Sequence, residues 1–225
     1  MDGIILFDKP IGLTSHDVVN IVRKKTGIKR VGHSGSLDPM ASGLLIILIG
    51  VSTKKQNEFQ MMEKVYEGEI KLGIVTDTWD IEGRIIKKID NLNIPYSAIK
   101  KGISLFEGTI VQRVPPYSAV KYKGQTLYKL ARKKLPTPIV KKTVRVKWLE
   151  WKYYDRSIRF KIKCSSGTYV RSIAHQLGEV LGCGGTLSSL RRVEIGEYSI
   201  NNAVSIDKFE KMGIDEIKNL VIKIK

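Results

Sequence analysis

The chain has 225 residues, 42% of them hydrophobic and 27% charged, which is enough apolar material to bury a core and excludes an intrinsically disordered polymer. Its 39 Lys and Arg stand against 22 Asp and Glu, a formal charge of +17 that points to a polyanionic partner. Two cysteines, three scattered histidines and no C-x-x-C pair, phosphate-binding glycine loop or dinucleotide fingerprint leave no disulfide framework, no metal site and no nucleotide cofactor to expect.

In chain order, Gly3 to Phe7 reads as a short strand. A helix then opens at Thr14-Ser15, where Thr14 and Asp17 have capping-box spacing. Val18, Val19 and Val22 form its apolar stripe, and Gly27 closes it. Gly32 to Gly43 is an irregular loop of small residues and turn formers, Leu44 to Ile49 a buried strand, and Thr53 to Glu63 a helix. Lys64 to Leu72 alternates, with Tyr66, Gly68, Ile70 and Leu72 on one face, as in a half-buried strand. Pro95 to Gly102 reads as a helix, Phe106 to Arg113 as a strand, and about Gln125 to Lys133 as a further helix. Thr143 to Trp151 and Ser157 to Cys164 pattern as hairpin-connected strands, Tyr169 to Leu181 as a helix and Leu187 to Ile195 as a strand. The fold class predicted is α+β, with a mixed, mostly antiparallel sheet and flanking helices.

Between Gly108 and Leu149 there are eleven Lys or Arg and no Asp or Glu, interleaved with Tyr117, Tyr122 and Tyr128. Cations meet phosphates and rings stack on bases, so the stretch reads as an RNA or DNA surface, with Lys121, Lys123, Lys129, Arg132, Lys133, Lys141 and Lys142 as backbone contacts. The start of the chain lacks signal-peptide character, and the longest apolar stretch, Leu44 to Val51, is too short to cross a bilayer. A cytoplasmic protein without a membrane anchor is expected.

The densest signal is the loop Gly32-His33-Ser34-Gly35-Ser36-Leu37-Asp38-Pro39-Met40-Ala41-Ser42-Gly43. Small residues allow close approach, and Pro39 biases Asp38 toward an extended conformation that presents its carboxylate. Alone, Asp-Pro is a common turn. The ungapped run nevertheless resembles the signature of the bacterial tRNA pseudouridine-55 synthase (TruB) family. The likeness extends to Asp8-Lys9-Pro10, to Tyr66, to Thr76-Asp77-Thr78 with Asp80, to Tyr117-Ser118-Ala119-Val120-Lys121, to the run from Cys164 to Ile173, and to Leu190-Arg191-Arg192. Ser34, Ser36 and Ser42 stand where threonine is common, Met40 where leucine is, and the Pro115-Pro116 pair is shifted by one. These departures touch packing rather than chemistry.

The resemblance implies the pseudouridine synthase catalytic fold and isomerisation of one uridine, U55 in the T-loop of tRNA. No cofactor is consumed. It makes Asp38 the essential carboxylate, which either attacks C1′ or helps remove a ribose proton; both remain open. Tyr66 would stack on the uracil and take the proton from C5, and Arg171 would pair with the catalytic carboxylate. An Arg in the first turn of a helix opposes the macrodipole and calls for a nearby anion in any case. Tyr169 and Leu190 would close the pocket, and His33 would fill the space left when the uridine flips out. Lys9, Pro10, Asp77 and Asp80 are expected to be architectural, and Cys164 a small buried hydrophobe. The family continues into a C-terminal RNA-binding domain. Here that domain is expected to be absent or a stub after about 200, leaving 1–225 as a single catalytic domain, a monomer that needs the T-arm of tRNA and no protein partner. Rival readings are a non-catalytic RNA-binding or tRNA-folding module, or a related synthase acting on rRNA or guided by proteins.

Overall fold

The computed structural model describes residues 1–133 and 135–224. It begins with β1 (Gly3–Lys9), α1 (Ser15–Thr26), β2 (Val31–His33), β3 (Ser42–Ile49), a 3₁₀ turn (Gly50–Lys55), α2 (Gln56–Met61) and β4 (Lys64–Leu72). Next come β5 (Ile74–Thr76), β6 (Ile85–Lys88), α3 (Tyr96–Ser104), β7 (Gly108–Arg113), β8 (Lys121–Tyr122), β9 (Gln125–Thr126) and α4 (Leu127–Arg132). The chain continues through β10 (Lys141–Tyr154), β11 (Ser157–Cys164), α5 (Val170–Val180), β12 (Gly185–Ile195) and β13 (Tyr198–Ser199). A second 3₁₀ turn, β14 (Val204–Ser205), α6 (Ile206–Lys211) and α7 (Ile214–Leu220) follow. Two compact units emerge: Met1–Glu67 with the residues from Leu190 on, and Gly68–Ser189. Among the described residues no helix is long and apolar enough to cross a membrane.

In the first unit the strand order is β14-β1-β3-β12, with β2 beside β3 and β13 beside β12. β1 and β3 are antiparallel from Gly3↔Ile49 to Lys9↔Gly43, whereas β14 on β1 and β12 on β3 are parallel. Their runs GIILF and LLIILI are apolar throughout because both faces are covered. Ile5, Phe7, Leu45 and Ile47 pack with α1, α6 and α7 through Val18, Val19, Val22, Phe209 and Ile217. Ile4, Leu6, Leu44, Ile46 and Leu48 meet Phe59 and Ile195 on the other side. The closing segment belongs to this core: the Phe7 and Phe209 rings meet edge to face at 4.8 Å, and Ile4 and Ile222 exchange backbone hydrogen bonds of 2.9 Å.

Helix α1 has the predicted ends. Thr14 Oγ1 accepts from Asp17 N–H, Asp17 returns a hydrogen bond to the Thr14 backbone, and Gly27 takes φ 71° as the left-handed cap. Two expectations need correction here. The helix over Thr53 to Glu63 is a 3₁₀ turn followed by the shorter α2. β4 is not half-buried at its start, since Lys64, Val65 and Tyr66 are all buried. The Lys64 ammonium is tolerated there because it donates to the Phe59, Gln60 and Met62 carbonyls at the end of α2.

In the second unit β11, β10 and β7 form an antiparallel ladder. A bulge between Trp148 and Glu150 bends β10. α3 packs on α5 where Gly102 lies against Leu177 and Leu181; an added Cβ would stand 3.0 Å from Leu177. The predicted helix from Gln125 starts only at Leu127, after the two-residue hairpin β8–β9.

Candidate active site

In the first unit the Asp38 loop is fastened from several directions. Its Leu37 N–H donates to Ser15 Oγ at the start of α1 (2.8 Å), and the Pro39 carbonyl accepts from Gly12 N–H (2.9 Å). Ala41 N–H closes a turn on the Asp38 carbonyl (3.0 Å). Arg192, 1% exposed, donates from Nε to the Leu44 carbonyl and from Nη2 to the Gly35 carbonyl, strapping the two ends of the loop together. The parallel pairing of Arg192 with Gly43 is so close that a Cβ on Gly43, whose φ is 105°, would stand 2.2 Å from the Arg192 carbonyl oxygen. Asp38 itself is half-buried at the tip.

The other first-unit candidates lie on β2, β4 and β12. Tyr66, 9% exposed, is on β4, which neighbours β12 in the sheet, and Leu190, 8% exposed, begins this unit's part of β12. His33 ends β2, and its Nδ1 accepts from Gly35 N–H (3.2 Å). Burial, with the charge of Arg192 beside it, holds the His33 imidazolium below its usual range, so the ring is neutral near pH 7. The same two causes push Lys64 down to about 8. Lys9, wholly buried, donates to the Pro10 and Leu13 carbonyls (2.8 and 2.7 Å) and so braces the turn before α1. Asp8 takes a bidentate pair from Arg191 (3.0 and 2.7 Å).

In the second unit Arg171 occupies the first turn of α5 with its side chain 5% exposed, and the anion that position calls for is present. Asp80, with 6% of its side chain exposed, lies 3.2 Å from Nη1. The Thr78 and Tyr117 carbonyls accept from the same guanidinium at 3.0 and 3.1 Å. Asp80 is therefore an ion-pair partner of a candidate site residue rather than a purely architectural acid. Asp77 is architectural: it accepts from Arg84 N–H at 2.9 Å. Tyr169 is the N-cap residue of α5. The buried Gln112 holds the segment before it with both ends of its amide, Nε2 donating to the Gly167 carbonyl (3.0 Å) and Oε1 accepting from Tyr169 N–H (3.1 Å).

Gln112 carried no signal in the sequence, and Arg192 stood there only as part of the Leu190-Arg191-Arg192 likeness, without its role of holding the loop. Of the basic residues, Lys142 is half-buried with Nζ 5.8 Å over the Tyr169 ring. Lys121, Lys123, Lys129, Arg132, Lys133 and Lys141 are exposed. Arg132 stacks over Tyr128 at 4.7 Å, and Lys123 lies 5.7 Å over Tyr122. Cations and rings thus interleave in the fold as they do along the sequence.

Comparison with known proteins gives this arrangement a family. The model of the N-terminal domain of TruB family pseudouridylate synthases matches residues 23–170, and that of the tRNA pseudouridylate synthase B C-terminal domain matches residues 171–219. The chain is 43% identical over 205 residues to the tRNA pseudouridine synthase B of Endomicrobium trichonymphae, covering 91% of this chain and 89% of that one. Its counterpart in Opitutus terrae is 39% identical over 225 residues, covering all of this chain and 93% of the other. Among solved structures, a chain in the crystal structure of a Cbf5-Nop10-Gar1 complex superimposes with a TM-score of 0.70 at 27% identity. That match covers 97% of this chain and 57% of the other. The chain belongs to the TruB family of pseudouridylate synthases.

Proposed function

We propose that this protein isomerises a uridine of tRNA, U55 in the T-loop, to pseudouridine, using Asp38, Tyr66 and Arg171. The observation that carries the reading is the Asp38 loop, matched residue by residue to the family signature and held rigid by Ser15, Gly12 and Arg192. A carboxylate fixed on such a loop suits chemistry at a ribose carbon. The target nucleotide flips from its stack, the bond from N1 to C1′ breaks, the uracil turns, and C5 bonds to C1′. The uracil leaves with its own negative charge, so one carboxylate serves where a glycosidase needs two. Tyr66 then takes the proton from C5 as N1 gains one, so that no proton is consumed overall; Arg171 supplies the site's cation, neutral His33 props the opened loop, and Tyr169 and Leu190 enclose the base.

Lys121, Lys123, Lys129, Arg132, Lys133, Lys141 and Lys142 grip the phosphates. The test is release of tritium from tRNA labelled at C5 of uridine, with the product mapped by position. Wild type should release label at U55. Asp38→Asn should release none while binding tRNA within about tenfold of wild type, because phosphate contacts supply most of the affinity. Binding without turnover by the wild-type protein would favour a tRNA-folding module, and product at another uridine would move the target.

A further inference from the structure

The turn Thr76-Asp77-Thr78-Trp79-Asp80 carries a large aromatic at φ 67°, a left-handed backbone that L residues other than Asn and Gly seldom adopt. The turn does not need the indole to hold its shape. Thr76 Oγ1 donates to the Asp80 carbonyl (2.6 Å), Thr78 Oγ1 donates to the Asp80 carboxylate (2.7 Å), and Glu82 N–H donates to the same carboxylate oxygen (3.2 Å). A strained conformation kept by a bulky side chain points to a role for that side chain.

The ring of Trp79 lies flat on His175, with centroids 4.3 Å apart and planes 7° from parallel. His175 is one helical turn beyond Arg171 on α5, so the two residues share a face. Flanking Trp79 in the chain, Thr78 and Asp80 provide two of the groups that receive the Arg171 guanidinium. Stack and ion pair therefore join the same turn to the same helix. Arg113 completes the cluster, its guanidinium 5.9 Å over the indole and donating to Glu179, whose other carboxylate oxygen is 3.4 Å from His175 Nε2. His175 Nδ1 is buried with no hydrogen-bond partner, so hydrogen bonding alone does not account for an imidazole at this place. Its flat surface against Trp79 does.

We propose that Trp79 and His175 form a stacking latch that sets the approach of Asp80 and the Thr78 carbonyl to Arg171, making Trp79 a positioning residue for the isomerisation. The proposal rests on the reading of Arg171 as the site's cation. Trp79→Gly removes the ring where glycine is unstrained, so the fold is kept. We expect kcat for pseudouridine formation in tRNA to fall at least about tenfold with KM within about threefold, and Trp79→Tyr, which keeps a stacking ring, to restore it. In an Asp80→Asn background Trp79→Gly should cost nothing further, since both changes act through one guanidinium. Independently of turnover, the Nε–H resonance of Arg171 in protein carrying ¹⁵N-arginine should be sharp and slow to exchange in wild type and Trp79→Tyr, and averaged in Trp79→Gly.

Wild-type kcat in Trp79→Gly, additive losses in the double variant, or an unchanged Arg171 resonance would each overturn the latch. A wild-type protein inactive on tRNA would instead overturn the functional reading, and the resonance would then decide the latch alone.

Discussion

The buried pair of Asp80 with Arg171 is the most exacting electrostatic contact described within the second unit, because neither side chain is more than 6% exposed. Asp80→Asn removes the countercharge that this turn brings to the guanidinium. Removing one partner of a buried pair costs about 3–5 kcal/mol, and thermal unfolding should register it as a Tm lower by several degrees; an unchanged Tm would mean that the pair is solvated. Tyr66→Phe belongs to the same scale. It keeps the ring for stacking and loses only the hydroxyl, so tRNA binding should persist while product formation slows by about a hundredfold or more, as loss of a positioned base does. A normal rate would remove Tyr66 as the base. Motif positions name Asp38, His33 and Tyr66 as candidates. The ion pair of Asp80 was not legible, since Thr-Asp-Thr-x-Asp offers two chemically equal acids. Only the folded turn sends Asp77 to a backbone N–H and Asp80 to an arginine.

Elements with strong local rules were the ones the sequence announced. The Thr14 and Asp17 box and Gly27 mark both ends of α1, and the apolar spacing of Val170, Ile173, Ala174 and Leu177 marks α5. The hairpins β5–β6 and β8–β9 stayed hidden, because strands of two to four residues are too short to show a period. The start of β4 misled for a different reason: Val65 alternates with the polar face of Glu67, Glu69 and Lys71 yet is buried, and the carbonyls of α2 make the burial of Lys64 possible. Thr14→Ala should cost about 1 kcal/mol, the usual worth of an N-cap, measurable by urea denaturation without change in the m-value. Gln112→Ala should cost about 1–3 kcal/mol, because it strands the Gly167 carbonyl and the Tyr169 N–H together. Faster hydrogen exchange confined to the first turn of α5 would show where the loss falls.

Across the whole molecule, charge sets how the protein responds to its solvent. His33 and His175 are both held below the ordinary histidine value of 6.5, chiefly by burial. An unfolded chain takes up these protons as pH falls through 6.5 while the folded chain resists them, so stability should decline on the acid side of that value. Tm measured against pH should show the slope, and replacing both residues by glutamine should flatten it. tRNA affinity should fall steeply with salt, each phosphate contact removed from the Lys121 to Lys142 stretch flattening the log–log slope by about 0.7–0.9. Reversing Lys129 and Arg132 without effect on slope or affinity would reduce that face to solvated surface. The abutment of Gly43 on the Arg192 backbone reaches beyond any single variant, into how freely the protein can drift. With a left-handed φ and a carbonyl oxygen 2.2 Å from where a Cβ would sit, position 43 has no acceptable neighbour in sequence space. Gly27, whose φ of 71° faces open space, can still pass through asparagine. In a saturation library selected for pseudouridine formation, every substitution at 43 should vanish in the first round while asparagine at 27 survives, so that the two glycines, both at positive φ, evolve at opposite rates.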